Sequence, residues 1–253
     1  MKSQTALLYF CSAMNIILIE KDERFFPRYD ERCVHIRKIL KKKAGDLFSA
    51  GEVNGPEGRA LIERLDETGL SFSFTAERPS APLHPLVLLV GFPRPIQLKR
   101  LLRDVSSLGV SSVLLSGTDL GEKSYRESNL VDRGSASASL REGAVQAAST
   151  AIPSFSLCDS IDDALRTLPD AAQRVVLDVE GAVCPLAEMS GDRPTAERPL
   201  VLAVGSERGW SARERDLFRL SGFTVCSLGS RILRTETACT AAVSVALAKF
   251  RLW

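Results

Sequence analysis

Histidine is scarce in this sequence, with only His35 and His84, and the six cysteines (Cys11, Cys33, Cys158, Cys184, Cys226 and Cys239) include no C-x-x-C pair. Such a set cannot supply structural zinc ligands at the usual spacings, so no metal is expected. The isolated cysteines sit mostly within apolar runs and read as reduced, buried thiols of a cytoplasmic protein, not as a disulfide framework. Long apolar runs are lacking as well. Nothing approaches the ~20 residues of a membrane span, so no membrane partner is expected. Three nucleotide and hydrolase fingerprints are missing: the dinucleotide G-x-G-x-x-G, the phosphate-loop G-x-x-x-x-G-K-[ST] and the nucleophile elbow G-x-S-x-G. Nicotinamide, ATP and serine-hydrolase chemistries lose ground accordingly. Charge of one sign is not in large excess either, since 33 basic against 31 acidic residues leave a net +2. A near-neutral average still leaves room for a local patch, and Arg37, Lys38, Lys41, Lys42 and Lys43 form a candidate RNA-binding cluster, with a solvated helix end as the plain alternative.

What is present is the composition of a soluble globular chain, 45% hydrophobic and 25% charged, in 253 residues. That length suits a small domain joined to a medium one. Residues 1–13 carry one lysine and a short apolar stretch that imitates a signal peptide only faintly; they are read as a disordered extension or an over-long start, with folding beginning near Met14. In residues 14–76 the apolar segments are short and punctuated by turns, as at Asn54-Gly55-Pro56, with one helical stretch at Arg32 to Leu40. This pattern predicts a small β-barrel. Three prolines (Pro79, Pro82, Pro85) then mark residues 77–85 as a linker.

From residue 86 to 253 the rhythm changes to strands alternating with helices, the signature of a parallel sheet covered on both faces. Leu86 to Gly91 is a continuous apolar run suited to a central strand, and Leu98, Leu101, Leu102, Val105 and Leu108 recur at helical spacing before Gly109. Further strands are expected at Val110 to Leu115, Arg174 to Val179, Pro199 to Val204 and Thr224 to Leu228. Further helices are expected at Ser137 to Ser149, after the capping box Ser211-Ala212-Arg213-Glu214, and from Glu236 to Phe250. Ligands of such sheets lie beyond the carboxyl ends of the strands. Attention therefore falls on three loops: Gly91 to Pro95, Gly205 to Trp210 and Gly229 to Thr237.

The last two carry the information. Gly205 and Gly209 bracket a tight turn directly after a buried strand, where missing side chains let the backbone approach a flat ligand; alone, such a turn is more often ordinary. The segment Leu228-Gly229-Ser230-Arg231-Ile232-Leu233-Arg234-Thr235-Glu236-Thr237-Ala238 is far more specific. It closely resembles the L-G-x-R-I-L-R-x-E-T-A signature of the RsmE-like family, bacterial enzymes that methylate N3 of a uridine in 16S ribosomal RNA. Val204-Gly205-Ser206-Glu207-Arg208-Gly209-Trp210-Ser211 stands where that family has I-G-P-E-G-G-[FL]-S, and Val34 to Leu40 followed by Ala44-Gly45-Asp46 resembles its H-I-x-x-V-L-R…G-D stretch. The resemblance runs from Met14 to the C-terminus and is strongest over the last fifty residues.

It implies an α/β fold: a SPOUT methyltransferase domain with a trefoil knot, preceded by a small PUA-like RNA-binding barrel, acting as a homodimer in the cytoplasm. Position by position it makes Val204, Gly205, Glu207, Gly209, Leu228, Gly229, Ile232, Leu233 and Thr237 candidates for binding S-adenosylmethionine, and 16S rRNA or the small ribosomal subunit the partner. For the reaction, Arg231 and Arg234 are candidates to stabilise a developing uridinate, with Glu207 or Glu236 as weaker candidates for the base. The structural alternative is an Arg–Glu ion pair that fixes the loop. Departures from the family pattern fall at Ser206 and Arg208, where proline and glycine are usual, and at Val145 and Ser149. Arg208 joins the RNA-binding candidates. The departures leave open a divergent paralogue that methylates another RNA position, or an RNA-binding or ribosome-assembly factor without chemistry.

Overall fold

The computed structural model describes residues 16–126 and 133–253; the expected extension 1–13, with Cys11 in it, and Met14 lie outside the described residues. The described residues divide into two units, 16–82 joined by 144–152, and 83–126 with 133–143 joined by 153–253.

The first unit is a five-stranded sheet formed by β1 (Ile17–Ile19), β2 (Phe25–Pro27), β3 (Leu47–Glu52), β4 (Glu57–Leu65) and β5 (Gly69–Arg78), in the order β1-β3-β4-β5-β2. β1 pairs with β3 in parallel and the other pairs are antiparallel. Helix α1 (Glu31–Val34) is capped by Asp30, whose carboxylate accepts from Arg32 N at 2.8 Å, and continues through one wider turn, His35–Ile39. Their apolar faces meet in a core of Phe26, Cys33, Ile36, Phe48, Ile62, Leu70 and Phe72, with the Phe26 and Phe72 rings 4.7 Å apart.

Two expectations about domain boundaries change. β5 continues to Arg78 and the next strand begins at His84, so only residues 79–83 of the expected 77–85 linker lie outside strands. A later segment also returns to the first unit. Thr150 Oγ1 donates to Gly55 O at 2.7 Å, Asn54 N donates to Thr150 O at 2.8 Å, and Ile152 N donates to Asn54 Oδ1 at 2.8 Å. These bonds satisfy the β3–β4 turn, where Asn54 takes a left-handed φ of 54°.

The second unit is a seven-stranded sheet, parallel throughout, of β6 (His84–Gly91), β7 (Val110–Ser116), β8 (Ser154–Cys158), β9 (Gln173–Leu177), β10 (Cys184–Pro185), β11 (Leu200–Val204) and β12 (Thr224–Ser227). Its order is β10-β12-β9-β11-β6-β7-β8. The two central strands, β11 and β6, are the most apolar, with Leu86 to Val90 and Leu200 to Val204 all buried, as strands covered on both faces require. Helix α2 (Pro95–Ser107) opens with Pro95 at its first turn, buries the expected Leu98, Leu101, Leu102 and Val105, and ends at Gly109, whose φ of 74° is the left-handed stop. α3 (Arg133–Gln146) ends three residues before the expected Ser149. The short helix α4 (Ile161–Thr167), capped by Ser160, was not expected from the sequence.

α5 (Ala212–Leu220) carries the anticipated capping box in both directions. α6 (Thr235–Lys249) packs its buried small residues, Cys239, Ala242, Val243 and Ala246, against α2, β6 and β11. The five described cysteines are free thiols, but they are less isolated than the sequence suggests: parallel register places Cys184 Sγ 3.8 Å from Cys226 Sγ, and burial together with that neighbour pushes the Cys226 thiol up to about 12. Among the described residues no helix is long and apolar enough to cross a membrane.

Candidate functional site

β12, β9 and β11 lie side by side, so their carboxyl ends release three loops into one region. Between these loops lies a cavity of about 360 Å³. The loop after β11 is held in a tight turn: Gly209 N donates to Ser206 O at 2.9 Å, and Gly209 adopts φ 69°. A Cβ on Gly205 would lie 3.0 Å from Gly209 Cα, and one on Gly91 would lie 2.6 Å from Ser206 N. Glycine at both places therefore permits the backbone approach because a side chain would not fit. The base of the turn is pinned by Trp210, which is buried, donates from Nε1 to Leu177 O at 3.2 Å and packs edge-on against Phe218. Thr235 Oγ1 adds a bond to Gly205 O at 3.3 Å, joining the loop after β12 to the loop after β11.

Eight of the nine cofactor-binding candidates line this cavity: Val204, Gly205, Glu207, Gly209, Leu228, Gly229, Ile232 and Leu233. Thr237 does not; it is exposed on α6, whereas Thr235 and Ala238, three residues apart on one helix face, line the cavity in its place. Sequence reasoning also missed Asp178 and Val179, because their place in the site depends on β9 lying between β11 and β12. Their position at the end of a predicted strand was the available signal. The Asp178 carboxylate is nearly buried, accepts from Arg215 Nε at 2.7 Å and from Glu180 N at 3.1 Å, and so presents a fixed negative edge.

Of the catalytic candidates, Arg231 and Arg234 line the cavity with exposed side chains, and neither has an acidic partner among the described residues. The loop-fixing Arg–Glu ion pair is thus not formed. Glu236 is buried in the first turn of α6, where a carboxylate complements the helix dipole, and does not line the cavity. Glu207 does line it, and its Oε1 accepts from Arg94 N at 2.8 Å, capping α2, whose start has no side-chain cap of its own. Among the RNA-binding candidates, Arg208 faces Glu122 at 3.6 Å. In the first unit Arg37 donates to Asp66 O at 3.0 Å, Lys38, Lys41 and Lys43 are exposed, and Lys42 is half-buried.

Behind the cavity Glu214 is completely buried, and its two oxygens accept from Asp119 N at 2.9 Å and Ser211 N at 2.8 Å. Asp119 in turn accepts from Arg213 at 2.8 and 2.9 Å and from Ser211 Oγ at 2.5 Å. The Arg213 hydrogen bonds, followed by the Ser211 bond, hold the Asp119 carboxyl below its ordinary value. A depressed carboxylate contributes stability that is present above the ordinary pKa, about 4, and fades as pH falls through the lower folded value. The β7 loop should therefore stay anchored until the pH drops below about 4. Carboxyl-carbon NMR titration should give Asp119 a midpoint under that value, and Arg213→Ala should raise it; a midpoint at or above it in the wild type contradicts the anchoring role.

Comparison with known proteins gives consistent matches. Residues 79–247 match the family model described as an RNA methyltransferase domain. The chain is 41% identical to the ribosomal RNA small subunit methyltransferase E of Treponema pallidum, over 95% of this chain and 93% of that protein. It is 27% identical to ribosomal RNA small subunit methyltransferase E 1 of Borreliella burgdorferi, over 93% and 98% of the two chains. Its fold is similar to the crystal structure of a ribosomal RNA small subunit methyltransferase E from Neisseria gonorrhoeae bound to S-adenosyl methionine, with a TM-score of 0.78 at 19% identity, covering 95% of this chain and 98% of that one.

Proposed function

Because the chain belongs to the RNA methyltransferase family, among the ribosomal RNA small subunit methyltransferases E, we propose that its cavity binds S-adenosylmethionine and methylates N3 of a uridine in 16S ribosomal RNA. One observation carries the reading: the loops after β11 and β12, specific in sequence, meet with the end of β9 around a single cavity. The residues fit the cofactor. Val204, Leu228 and Leu233 supply apolar walls, the glycine turn exposes backbone groups to a planar ring, and Asp178 and Glu207 present carboxylates to hydroxyl and amino groups.

When bound, S-adenosylmethionine supplies an already activated methyl group on sulfur. The protein's task is then to orient the acceptor, exclude water and manage one proton. Glu207, which lines the cavity, would hold the proton that uracil N3 must lose, and the apolar walls would keep water from the acceptor. Arg231 and Arg234, which have no acidic partner among the described residues, stabilise negative charge that develops on the pyrimidine. Glu236 is not assigned the base, since it is buried away from the cavity.

The same reading extends to the architecture. The first unit serves as a PUA-like barrel that grips RNA through Lys38, Lys41, Lys42 and Lys43, and the chain after β12 closes a trefoil knot. A homodimer covers the exposed apolar side chains of Val179 and Ile232 at the cavity rim. Calorimetric titration with S-adenosylmethionine, followed by methyl incorporation into small-subunit particles from a strain lacking the gene, tests the core of it. Binding with incorporation at a uridine N3 is expected. Incorporation at another position would indicate the divergent paralogue, and failure to bind cofactor would leave only an RNA-binding factor.

A further inference from the structure

A second, smaller cavity of about 90 Å³ opens on the other side of the β11 loop, walled by Arg94, Leu120, Tyr125 and Arg208 and sharing Ser206 and Glu207 with the larger one. We propose that this cavity receives the acceptor pyrimidine itself, stacked against Tyr125 and held through its carbonyl oxygens by Arg94 and Arg208. The inference rests on the functional reading above and assigns that reading a substrate site.

Three features support it. The first is position: the cavity shares Ser206 and Glu207 with the methyl donor's cavity, so a ring seated here adjoins that cavity at the Glu207 carboxylate. Glu207 Oε1 is committed to Arg94 N, while its other oxygen has no partner among the described residues and is free to accept from N3–H. The second is size, since the cavity is a quarter of the cofactor cavity's 360 Å³ and suits one six-membered ring better than a fused purine. The third is donor chemistry. Guanidinium groups only donate hydrogen bonds. Uracil offers acceptors at O2 and O4, whereas cytosine turns an amino donor toward one of them, leaving two donors face to face.

Tyr125 is half-buried and lines the cavity, where an aromatic ring offers stacking, the usual way a splayed-out RNA base is gripped. Arg208 stands where the resembling family has glycine, and its exposed 3.6 Å contact with Glu122 is loose enough to be exchanged for a base carbonyl. The chain's clearest departure from the family pattern thus acquires a role in gripping the substrate.

Steady-state methylation of small-subunit particles by the full-length protein tests the assignment. Tyr125→Ala and Arg208→Gly are each expected to raise KM for RNA about tenfold or more, the scale of a lost base stack. KM for S-adenosylmethionine should stay within about twofold in both variants, and Tyr125→Phe, which keeps an aromatic face, should recover most of the KM for RNA lost in Tyr125→Ala. Unchanged KM for RNA in both damaging variants overturns the pocket while leaving the function standing. In parallel, small-subunit RNA substituted with 4-thiouridine is photocrosslinked to the protein and the peptides are mapped. Crosslinks at Tyr125 or Arg208 support the pocket even if the wild type transfers no methyl group, and crosslinks found only elsewhere overturn it.

Discussion

Arg234→Ala should lower the single-turnover methylation rate by roughly 10²–10³-fold, the usual cost of removing one preorganised group that stabilises transition-state charge. The size of the effect follows from the surroundings of the guanidinium. Arg234 lines the cavity and meets no acid among the described residues, so its charge is available to the reacting base and is not spent on an ion pair. It is also exposed, and truncation removes no core contact, so the melting temperature should be nearly unchanged. Cofactor affinity should change little, because the arginine acts on charge that appears only during transfer. Arg234→Lys restores a cation but not the planar fork and should recover part of the rate. A wild-type rate in Arg234→Ala would remove this arginine from the mechanism and shift the role to Arg231.

Trp210→Ala should act in the opposite way, through stability. Its indole is 2% exposed, packs against Phe218 with ring centroids 4.7 Å apart, and donates to Leu177 O. Truncating a buried aromatic of this size costs about 3–5 kcal/mol. For a chain of this length that corresponds to a fall in Tm of roughly 6–20 °C. Trp210→Phe keeps most of the packing and loses only the hydrogen bond, about 1 kcal/mol. Cofactor affinity should fall with Trp210→Ala even at temperatures where the protein remains folded, since the indole ties the glycine turn to the end of β9. Equal melting temperatures for Trp210→Ala and wild type would show that the turn is supported by other contacts.

What could be read from the sequence depended on how local the determining forces are. The capping box at Ser211 and Glu214, the Gly109 stop and the buried run of β6 are decided within a few residues, and each lies where the pattern put it. β2 has only three residues and β10 two, too few for alternation to register, and both exist because neighbouring strands pair with them. The site divides in the same way. Its two loops were visible as contiguous motifs, but Asp178 belongs to it through a strand order that no local pattern encodes. Thr237 and Glu236 show the finer difficulty. A motif identifies a helix start without its rotational phase, and here Glu236 is buried while the next residue, Thr237, is turned to solvent.

The return of residues 144–152 to the first unit has a consequence for the timing of folding on the ribosome. The five strands of that unit are all synthesised by residue 78, yet the groups that satisfy the β3–β4 turn, Thr150 and the amide of Ile152, come more than seventy residues later. At translation rates of about 5–20 residues per second, the partly assembled sheet waits roughly 4–14 s for them. During that interval the Asn54 and Gly55 backbone groups must be served by water or by a chaperone. The N-terminal unit, first to be made, is therefore completed only when more than half of the chain has been synthesised, and a slow codon stretch before residue 144 would prolong its most vulnerable state.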